Sequence, residues 1–156
     1  MSSRPPAGPP RPVTRPPDPG GPPILVVDDL ADGAALSRAM LEAGGYEVVD
    51  EAEGDAVLRL VRGAVVRCVV TEIHIPCAEG RCVVTALEGD RHRLPRLRVL
   101  VHTRHRSAHD LAWALDAGSD GVLHKPAEAR VLLREVRRLD AVGDGPAARR
   151  TEGDRS

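Results

Sequence analysis

The sequence predicts an α/β fold in which helices cover both faces of a doubly wound, five-stranded parallel sheet. Short apolar runs rich in β-branched residues, such as 24–27, are typical of strands buried on both sides of a parallel sheet. Five predicted strands alternate with five segments of helical periodicity, and the connections between them are short. Parallel neighbours require right-handed crossover connections, so this alternation favours a doubly wound sheet.

Each predicted element is bounded by residues that begin or end regular structure. The first strand stops at two aspartates, Gly44 ends the first helix, and Pro76 and Gly80 interrupt the loop after the third strand. The predicted strands are 24–27, 46–49, 68–71, 97–101 and 121–123. The helices are predicted around 36–41 and over 56–61, 80–87, 108–117 and 127–139.

The two ends of the chain differ in composition from the middle. Residues 1–23 contain ten of the 14 prolines, and such a segment buries too little apolar surface to fold. We therefore expect a disordered, partly polyproline arm there. Residues 141–156 are rich in Gly, Ala, Arg and acids, which predicts a disordered tail. The predicted folded domain is 24–140, with no room for a second one.

Composition excludes several classes of protein. A net charge of −1 provides no basic field for nucleic acid. The apolar runs are too short to span a bilayer, and the N-terminus lacks the apolar stretch of a signal peptide. We expect a cytoplasmic protein with reduced thiols. Two groupings lack the paired spacing of zinc sites: His74, Cys77 and Cys82, and His102, His105 and His109. We interpret Cys68 as a small buried apolar residue and the members of both groupings as loop or surface residues.

Polar residues follow four of the predicted strands. Asp28 and Asp29 follow the first strand, Glu72 the third, Thr103 the fourth and Lys125 the fifth. In a doubly wound sheet the ligand site lies outside these carboxyl ends. Carboxylates, a hydroxyl and an ammonium at one edge predict a site for a hard divalent cation and a phosphoryl-like group. Lys125 is the one lysine among 22 basic residues, which indicates a position that needs a compact ammonium.

These motifs resemble the receiver domain of bacterial response regulators over the whole of 24–140. The resemblance rests on the acidic pair after the first strand, the segment 72–76, the turn 118–121 and Lys125-Pro126. It implies a CheY-like, flavodoxin-like sheet of strand order 2-1-3-4-5. It also implies a role in two-component signalling, by protein contact and not as an enzyme.

The resemblance implies a role for each residue at the strand ends. Mg²⁺ is the implied cofactor, held by Asp28 and Asp29 with Glu72 beside them. Thr103 and Lys125 match the hydroxyl and the lysine that contact the phosphoryl oxygen. The backbone carbonyl of His74 matches a further metal ligand.

Glu72 departs from the family because it stands where receivers have the aspartate that accepts phosphate. Its additional methylene places the carboxylate about 1.5 Å further out, and a misplacement of that order reduces in-line transfer about a hundredfold. We expect Glu72 instead to reach Lys125 and Thr103 and to imitate the phosphorylated state. The alternative is that the site has lost its function and the domain serves only as a scaffold.

Three further positions bear on signalling. Arg104 replaces a residue that is small in most relatives, and it either pairs with Glu72, blocks the phosphodonor or lies solvated at the rim. Val122 replaces the aromatic residue that rotates on activation, and valine cannot make that movement. Trp113, on the fourth helix, is either an exposed anchor for a partner or packs beneath that helix.

The sequence therefore predicts a stand-alone, atypical receiver that acts independently of phosphorylation or is fixed in one state. A sensor kinase, an output protein or a second copy would bind the face formed by the fourth helix, fifth strand and fifth helix, without membrane or direct nucleic-acid contact. One alternative is a conventional phosphate-accepting receiver. Another is a flavodoxin-like protein that binds flavin or nucleotide, although no glycine-rich phosphate loop follows the first strand.

Overall fold

A computed structural model describes residues 21–144 as a parallel sheet with helices on both faces. The strands are β1 (Ile24–Val27), β2 (Val48–Glu51), β3 (Cys68–Thr71), β4 (Arg98–Thr103) and β5 (Gly121–His124). The helices are α1 (Ala31–Ala43), α2 (Gly54–Gly63), α3 (Val83–Gly89), α4 (Ala108–Asp116) and α5 (Ala129–Asp144), with a 3₁₀ turn at Ala78–Gly80. The strand order is β2-β1-β3-β4-β5, which confirms the predicted fold class and order.

The central strands β1 and β3 are buried on both faces because each face of the sheet is covered by helices. Ile24 and Val26 pack in a cluster with α1 and α5, while Leu25 and Val27 pack in another with α2 and α3. This alternation is the two-residue period of a strand. A smaller cluster fills the space under α4, and its members are Ile73, Val84, Val101 and Ala114, with Trp113 and Val122 packed against it.

The second strand and the third helix begin later than the sequence predicts. The second strand begins at Val48, which pairs with Ile24, because the amide of Tyr46 is still bonded to Leu41 in the turn after α1. The strand continues into the acidic pair 50–51 because it lies at the sheet edge, where charged side chains reach water. The third helix begins at Val83, since Gly80 has a φ of 70° in the left-handed region.

The turn before β5 is fixed by a partly buried network around Asp120. Its carboxylate accepts hydrogen bonds from the Val99 amide (2.8 Å) and from the Arg91 guanidinium (2.7 Å). Arg91 also donates to the carbonyl of Gly118, whose φ of 106° suits glycine. This network sets where β5 begins and therefore where Lys125 follows it.

The ends of the described region extend slightly past the predicted domain limits. The carbonyls of Pro22 and Pro23 accept hydrogen bonds from Arg67, and α5 continues four residues beyond position 140. The remainder of the predicted arm and tail, 1–20 and 145–156, lies outside the described residues. Within 21–144, every helix is too short or too polar to cross a membrane.

The three cysteines are free. Cys68 is fully buried in β3, as predicted, and burial raises the pKa of its thiol to about 12. The thiol therefore stays protonated and packs as a small apolar group. Cys77 and Cys82 are partly buried residues of the segment between β3 and α3.

Candidate functional site

Asp28 is buried at the carboxyl end of β1, whereas Asp29 next to it is exposed. The Oδ1 atom of Asp28 accepts a hydrogen bond from the Leu30 amide at 2.9 Å. Gly33, in the first turns of α1, lies against the same carboxylate, and a Cβ at this position would be 2.3 Å from Asp28 Oδ2. The close approach of α1 to the site therefore requires glycine.

Glu72 directly follows β3, and its side chain is only 2% exposed. Its amide donates to the Val27 carbonyl at 2.8 Å, which continues the pairing of β1 with β3 and places Glu72 beside the end of β1. Its Oε1 atom accepts a hydrogen bond from the Ile73 amide at 3.0 Å. One carboxylate oxygen is thus engaged by the chain itself, and the other faces the site.

Lys125 joins the two buried carboxylates. Its amide donates to the Thr103 carbonyl at 2.7 Å, which extends the β4–β5 pairing and fixes the start of the side chain. The Nζ atom donates to Asp28 Oδ2 at 2.6 Å and to Glu72 Oε2 at 3.3 Å. The sequence directed attention to Glu72 as the partner, but the shorter bond goes to Asp28. The distance from Lys125 Nζ to each carboxylate depends on how far the side chains extend along the sheet edge, and sequence spacing does not give that distance.

Arg104 lies at the outer side of the site with 47% of its side chain exposed. Its Nε atom is 3.8 Å from Glu72 Oε2, and a terminal nitrogen is 4.0 Å from Asp29 Oδ1. These distances are at the limit of an ion pair, and exposed pairs contribute about 0–1 kcal/mol. The guanidinium adds positive charge over the mouth of the site without closing on one carboxylate.

Thr103 is buried at the end of β4, and its Oγ1 atom accepts a hydrogen bond from the His105 amide at 3.1 Å. This bond belongs to the loop that follows the strand. The sequence predicts that Glu72 reaches both Lys125 and Thr103. Glu72 Oε2 lies 3.3 Å from Lys125 Nζ, while the Thr103 hydroxyl is hydrogen-bonded by its own loop.

His74 connects the loop after β3 to α4. It adopts a φ of 62°, its Nε2 atom is 3.1 Å from Asp110 Oδ1, and its ring centroid is 4.9 Å from that of Trp113. The hydrogen bonds from His74 and Ser107 hold the pKa of the Asp110 carboxyl below its usual range. Trp113 is neither fully exposed nor fully buried, since it packs on the cluster under α4 and against His74.

The interpretation of the histidines at 102, 105 and 109 as loop or surface residues is wrong for His102. His105 lies in the exposed loop and its Nδ1 atom is 3.7 Å from Asp110 Oδ2. His102 is instead buried in β4, two residues after Leu100, which packs against α1 and α5. Because side chains two residues apart in a strand share a face, the position of Leu100 predicts that His102 also points inward. The sequence interpretation considered the spacing between the histidines and not this strand period.

Comparison with known proteins identifies the class to which this fold and site belong. A family model described as the response regulator receiver domain matches residues 24–137. The match covers most of the chain. The protein belongs to the response regulator receiver domain family, whose members act in two-component signalling.

Curated relatives contain the same domain within longer chains. The chain is 33% identical over 118 residues to the transcriptional regulatory protein PrrA of Mycobacterium tuberculosis, covering 76% of this chain and 49% of PrrA. It is 29% identical over 113 residues to the CAI-1 autoinducer sensor kinase/phosphatase CqsS of Vibrio cholerae, covering 72% of this chain and 16% of CqsS. The chain thus spans half or less of the length of these relatives.

Solved structures show the same fold. A CheY-like response regulator receiver domain protein from Methanospirillum hungatei JF-1 is 25% identical, with a TM-score of 0.67 over 79% of this chain and 96% of that one. The beryllofluoride-activated NtrC4 receiver domain dimer, at 21% identity, has a TM-score of 0.68 over 78% of this chain and 98% of that one. The second likeness concerns the fold alone.

Receiver domains typically bind Mg²⁺ at the phosphorylation site, but with Lys125 between them Asp28 and Glu72 do not fit the ion as they are arranged, and Asp29 is the predicted ligand that faces solvent. Mg²⁺ demands near-octahedral oxygen ligands at about 2.0–2.1 Å. Both oxygens of Asp28 and both of Glu72 already face amide or cationic nitrogen atoms. Within residues 21–144, no three His, Cys, Asp or Glu side chains are grouped so that they could hold a metal.

Proposed function

We propose that this chain is an atypical receiver whose site is fixed in one state by the Lys125–Glu72 contact. It acts through protein contact and does not require phosphoryl transfer. The observation that carries the proposal is the 3.3 Å distance between Lys125 Nζ and Glu72 Oε2. In the family this lysine pairs with a phosphoryl oxygen, and here it meets a carboxylate that the chain carries permanently.

The environment of Glu72 argues against its use as a phosphate acceptor. An attacking oxygen must lie in line with the donor phosphorus, and the metal must neutralise the developing charge. One Glu72 oxygen is bonded to the Ile73 amide, and the other faces Lys125 and, at 3.8 Å, Arg104. The extra methylene moves the carboxylate by about 1.5 Å, and the half-exposed Arg104 guanidinium lies 3.8 Å from the oxygen that faces the site.

A buried contact between an ammonium and carboxylates is suited to hold one conformation. Charge-assisted hydrogen bonds are about twice as strong as neutral ones. Removing one member of a buried pair leaves an uncompensated charge, which costs about 3–5 kcal/mol. Val122 is partly buried against the cluster under α4. It lacks the aromatic ring whose rotation accompanies switching in the family, so one side-chain movement of the usual two-state switch is absent.

The contacts of His74 and Trp113 offer a route from the site to a partner. His74 lies two residues after Glu72, and its ring contacts Asp110 and Trp113 on α4. Exposed Leu111 and Leu115 on the same helix are 37% and 50% accessible. We therefore assign partner binding to the face of α4, β5 and α5, with a sensor kinase, an output protein or a second copy as the class of partner.

The family match favours a receiver over a flavin- or nucleotide-binding protein of similar fold, and we propose a cytoplasmic location because two-component signalling takes place there. Direct contact with nucleic acid is not part of the proposal, since the chain carries a net charge of −1.

Intact-mass measurement after incubation with acetyl phosphate and Mg²⁺ tests the proposal. We expect the unmodified mass for the wild-type protein, and a gain of about 80 Da, one phosphoryl group, for Glu72→Asp. Glu72→Gln is the matched control, because it keeps the length of glutamate and removes the nucleophile. An adduct on Glu72 of the wild type would instead establish a conventional acceptor, and a folded Glu72→Asp variant without adduct would indicate a spent site.

A further inference from the structure

A groove of about 430 Å³ lies at the amino ends of β3 and β4, at the opposite end of the sheet from Lys125. One wall is the end of α2 with the loop that follows it, 61–66, and the other is the loop 93–97 before β4. Most residues of both walls are exposed, so the groove is open to solvent. It shares no residue with the acidic site or with the face of α4, β5 and α5.

The floor of the groove is apolar and continues the interior of the protein. Val61 and Leu97 belong to the buried cluster that packs the sheet against α2 and α3. Val66 and Leu94 pack against that cluster but remain partly exposed, and the neighbouring Val65 is 75% exposed. The core thus reaches the surface between the two loops, and contiguous apolar surface of this kind marks interaction sites.

The rim of the groove is positively charged. The charged residues that line it are Arg62, Arg93 and Arg96. Arg62 is neutralised by Asp90, whose Oδ2 atom lies 2.7 Å from its Nε atom. Within residues 21–144, no carboxylate pairs with the side chain of Arg93 or Arg96.

Carboxylates elsewhere at this end of β3, β4 and β5 are paired with other arginines. Asp120 and Glu88 pair with Arg91, at 2.7 and 3.2 Å. Asp140 pairs with Arg67 at 2.8 Å. Among the described residues, the rim therefore keeps two positive charges without a counterion, in a chain whose net charge is −1.

We infer that this groove binds an acidic segment of a partner protein, with large apolar side chains on the floor and carboxylates at Arg93 and Arg96. An apolar cavity of about 150 Å³ holds one benzene molecule, so the groove has room for roughly two or three such side chains. Guanidinium groups match carboxylates through paired N–H donors. A membrane surface fits less well, because a recessed floor does not reach the acyl chains of a flat bilayer.

A titration followed by ¹H–¹⁵N correlation spectra tests this inference with the peptide acetyl-Glu-Leu-Leu-Asp-Glu-Leu-Leu-Asp-amide. One analogue has Gln and Asn in place of the acids, and another has Ser in place of the leucines. We expect saturable shifts for the acidic peptide at the amides of Ala64, Val65, Val66, Leu94 and Arg96. Both analogues should bind at least about fivefold more weakly, which for the charges is the effect of two solvent-exposed ion pairs.

Two variants and a control make the test specific. Arg93→Gln combined with Arg96→Gln should weaken binding of the acidic peptide at least about fivefold and leave binding of the Gln/Asn analogue unchanged. Val65→Ser should weaken binding of both peptides, because it removes apolar surface beside the floor. Arg130→Gln combined with Arg134→Gln makes the same change in charge at exposed residues of α5 and should leave binding unchanged. The spectra also report whether each variant is folded.

Absent or non-saturable shifts, equal affinity for the three peptides, or undiminished binding by the folded double variant at 93 and 96 would overturn the inference. Sedimentation with vesicles of phosphatidylcholine and phosphatidylserine should leave the wild type in the supernatant. Cosedimentation that the double variant lacks would assign the rim to a lipid surface instead. Shifts of the groove amides on raising the protein concentration without peptide would assign the groove to a second copy, and either result would overturn the inference.

Discussion

The ammonium of Lys125 donates its shorter hydrogen bond to Asp28, at 2.6 Å between Nζ and Oδ2, and its longer one to Glu72. Both carboxylates have side chains that are 2% exposed, and the lysine is 15% exposed. One cation thus compensates two buried anions that lie at the ends of adjacent strands. The stability of the site depends on this single side chain.

Replacing Lys125 by methionine should lower the free energy of unfolding by about 3–5 kcal/mol, because two buried carboxylates then lose their counterion. Urea unfolding of the wild type and the variant measures the change. Arg130→Met is the matched control, since Arg130 pairs with Glu128 on the surface with both side chains more than two-thirds exposed, and its loss should change stability by about 1 kcal/mol or less. A Lys125→Met variant as stable as Arg130→Met would contradict the assignment.

Double-mutant cycles should separate the two contacts of the lysine. We expect a coupling energy of about 1–3 kcal/mol between Lys125 and Asp28, from the cycle with Lys125→Met and Asp28→Asn. The cycle with Glu72→Gln should give a smaller but measurable value, because the second contact is longer by the difference between 3.3 and 2.6 Å. A coupling with Glu72 that is indistinguishable from zero would remove the physical basis of the fixed state.

Much of this site follows from sequence reasoning, and the part that does not has a geometric cause. The position of Glu72, Thr103 and Lys125 at strand ends is dictated by the alternation of elements, and the parallel sheet brings those ends together. Which acidic side chain binds the lysine depends on differences of less than 1 Å. The inward direction of His102 depends on strand register, which local motifs do not contain.

Magnesium should not stabilise the wild-type protein, because Lys125 and backbone amides occupy the carboxylate oxygens that the ion would need. Thermal unfolding with about 10 mM MgCl₂ should therefore match unfolding with choline chloride of equal ionic strength. In Lys125→Met the Asp28 and Glu72 oxygens are released, and a bound ion then raises the melting temperature by mass action. Magnesium stabilisation of the wild type that disappears in Asp28→Asn would show that the ion displaces the lysine.

The stability of the protein should fall in acid through His102. Its folded-state pKa is about 4, below the ordinary value of 6.5, because burial and Lys125 disfavour the imidazolium. Between pH 6.5 and 4 the unfolded chain binds a proton that the folded chain does not, so the free energy of unfolding decreases as the pH falls through this window. The contribution is complete above pH 6.5 and amounts to about 3 kcal/mol at most.

Urea unfolding at pH 7.5, 6.0, 5.0 and 4.5 measures this effect by comparing the wild type with His102→Leu. The carboxylates that titrate near pH 4 are shared by both proteins, so the difference between the two curves isolates the histidine. We expect the variant to gain stability relative to the wild type as the pH decreases. Parallel curves would show that His102 titrates normally and is not the buried neutral group described above.

The contact between Gly33 and Asp28 should make position 33 intolerant of any side chain. A Cβ there would lie 2.3 Å from Asp28 Oδ2, so Gly33→Ala forces the carboxylate away from Lys125 or moves α1. We expect a loss of about 1–3 kcal/mol in the free energy of unfolding, as for other overpacked sites. Gly63→Ala and Gly89→Ala are the controls, because a Cβ at either position meets nothing within 4 Å.

At these two helical glycines, alanine reduces the freedom of the unfolded chain and should stabilise by about 0.4–1 kcal/mol. The opposite signs at position 33 and at the controls distinguish a steric requirement from general helix propensity. Adding Asp28→Asn to Gly33→Ala should not restore stability, since asparagine has the same shape. Adding Asp28→Ala should relieve the clash, so the double variant should lose less than the sum of the single ones. Strictly additive losses of stability would show that a side chain at position 33 does not clash with Asp28.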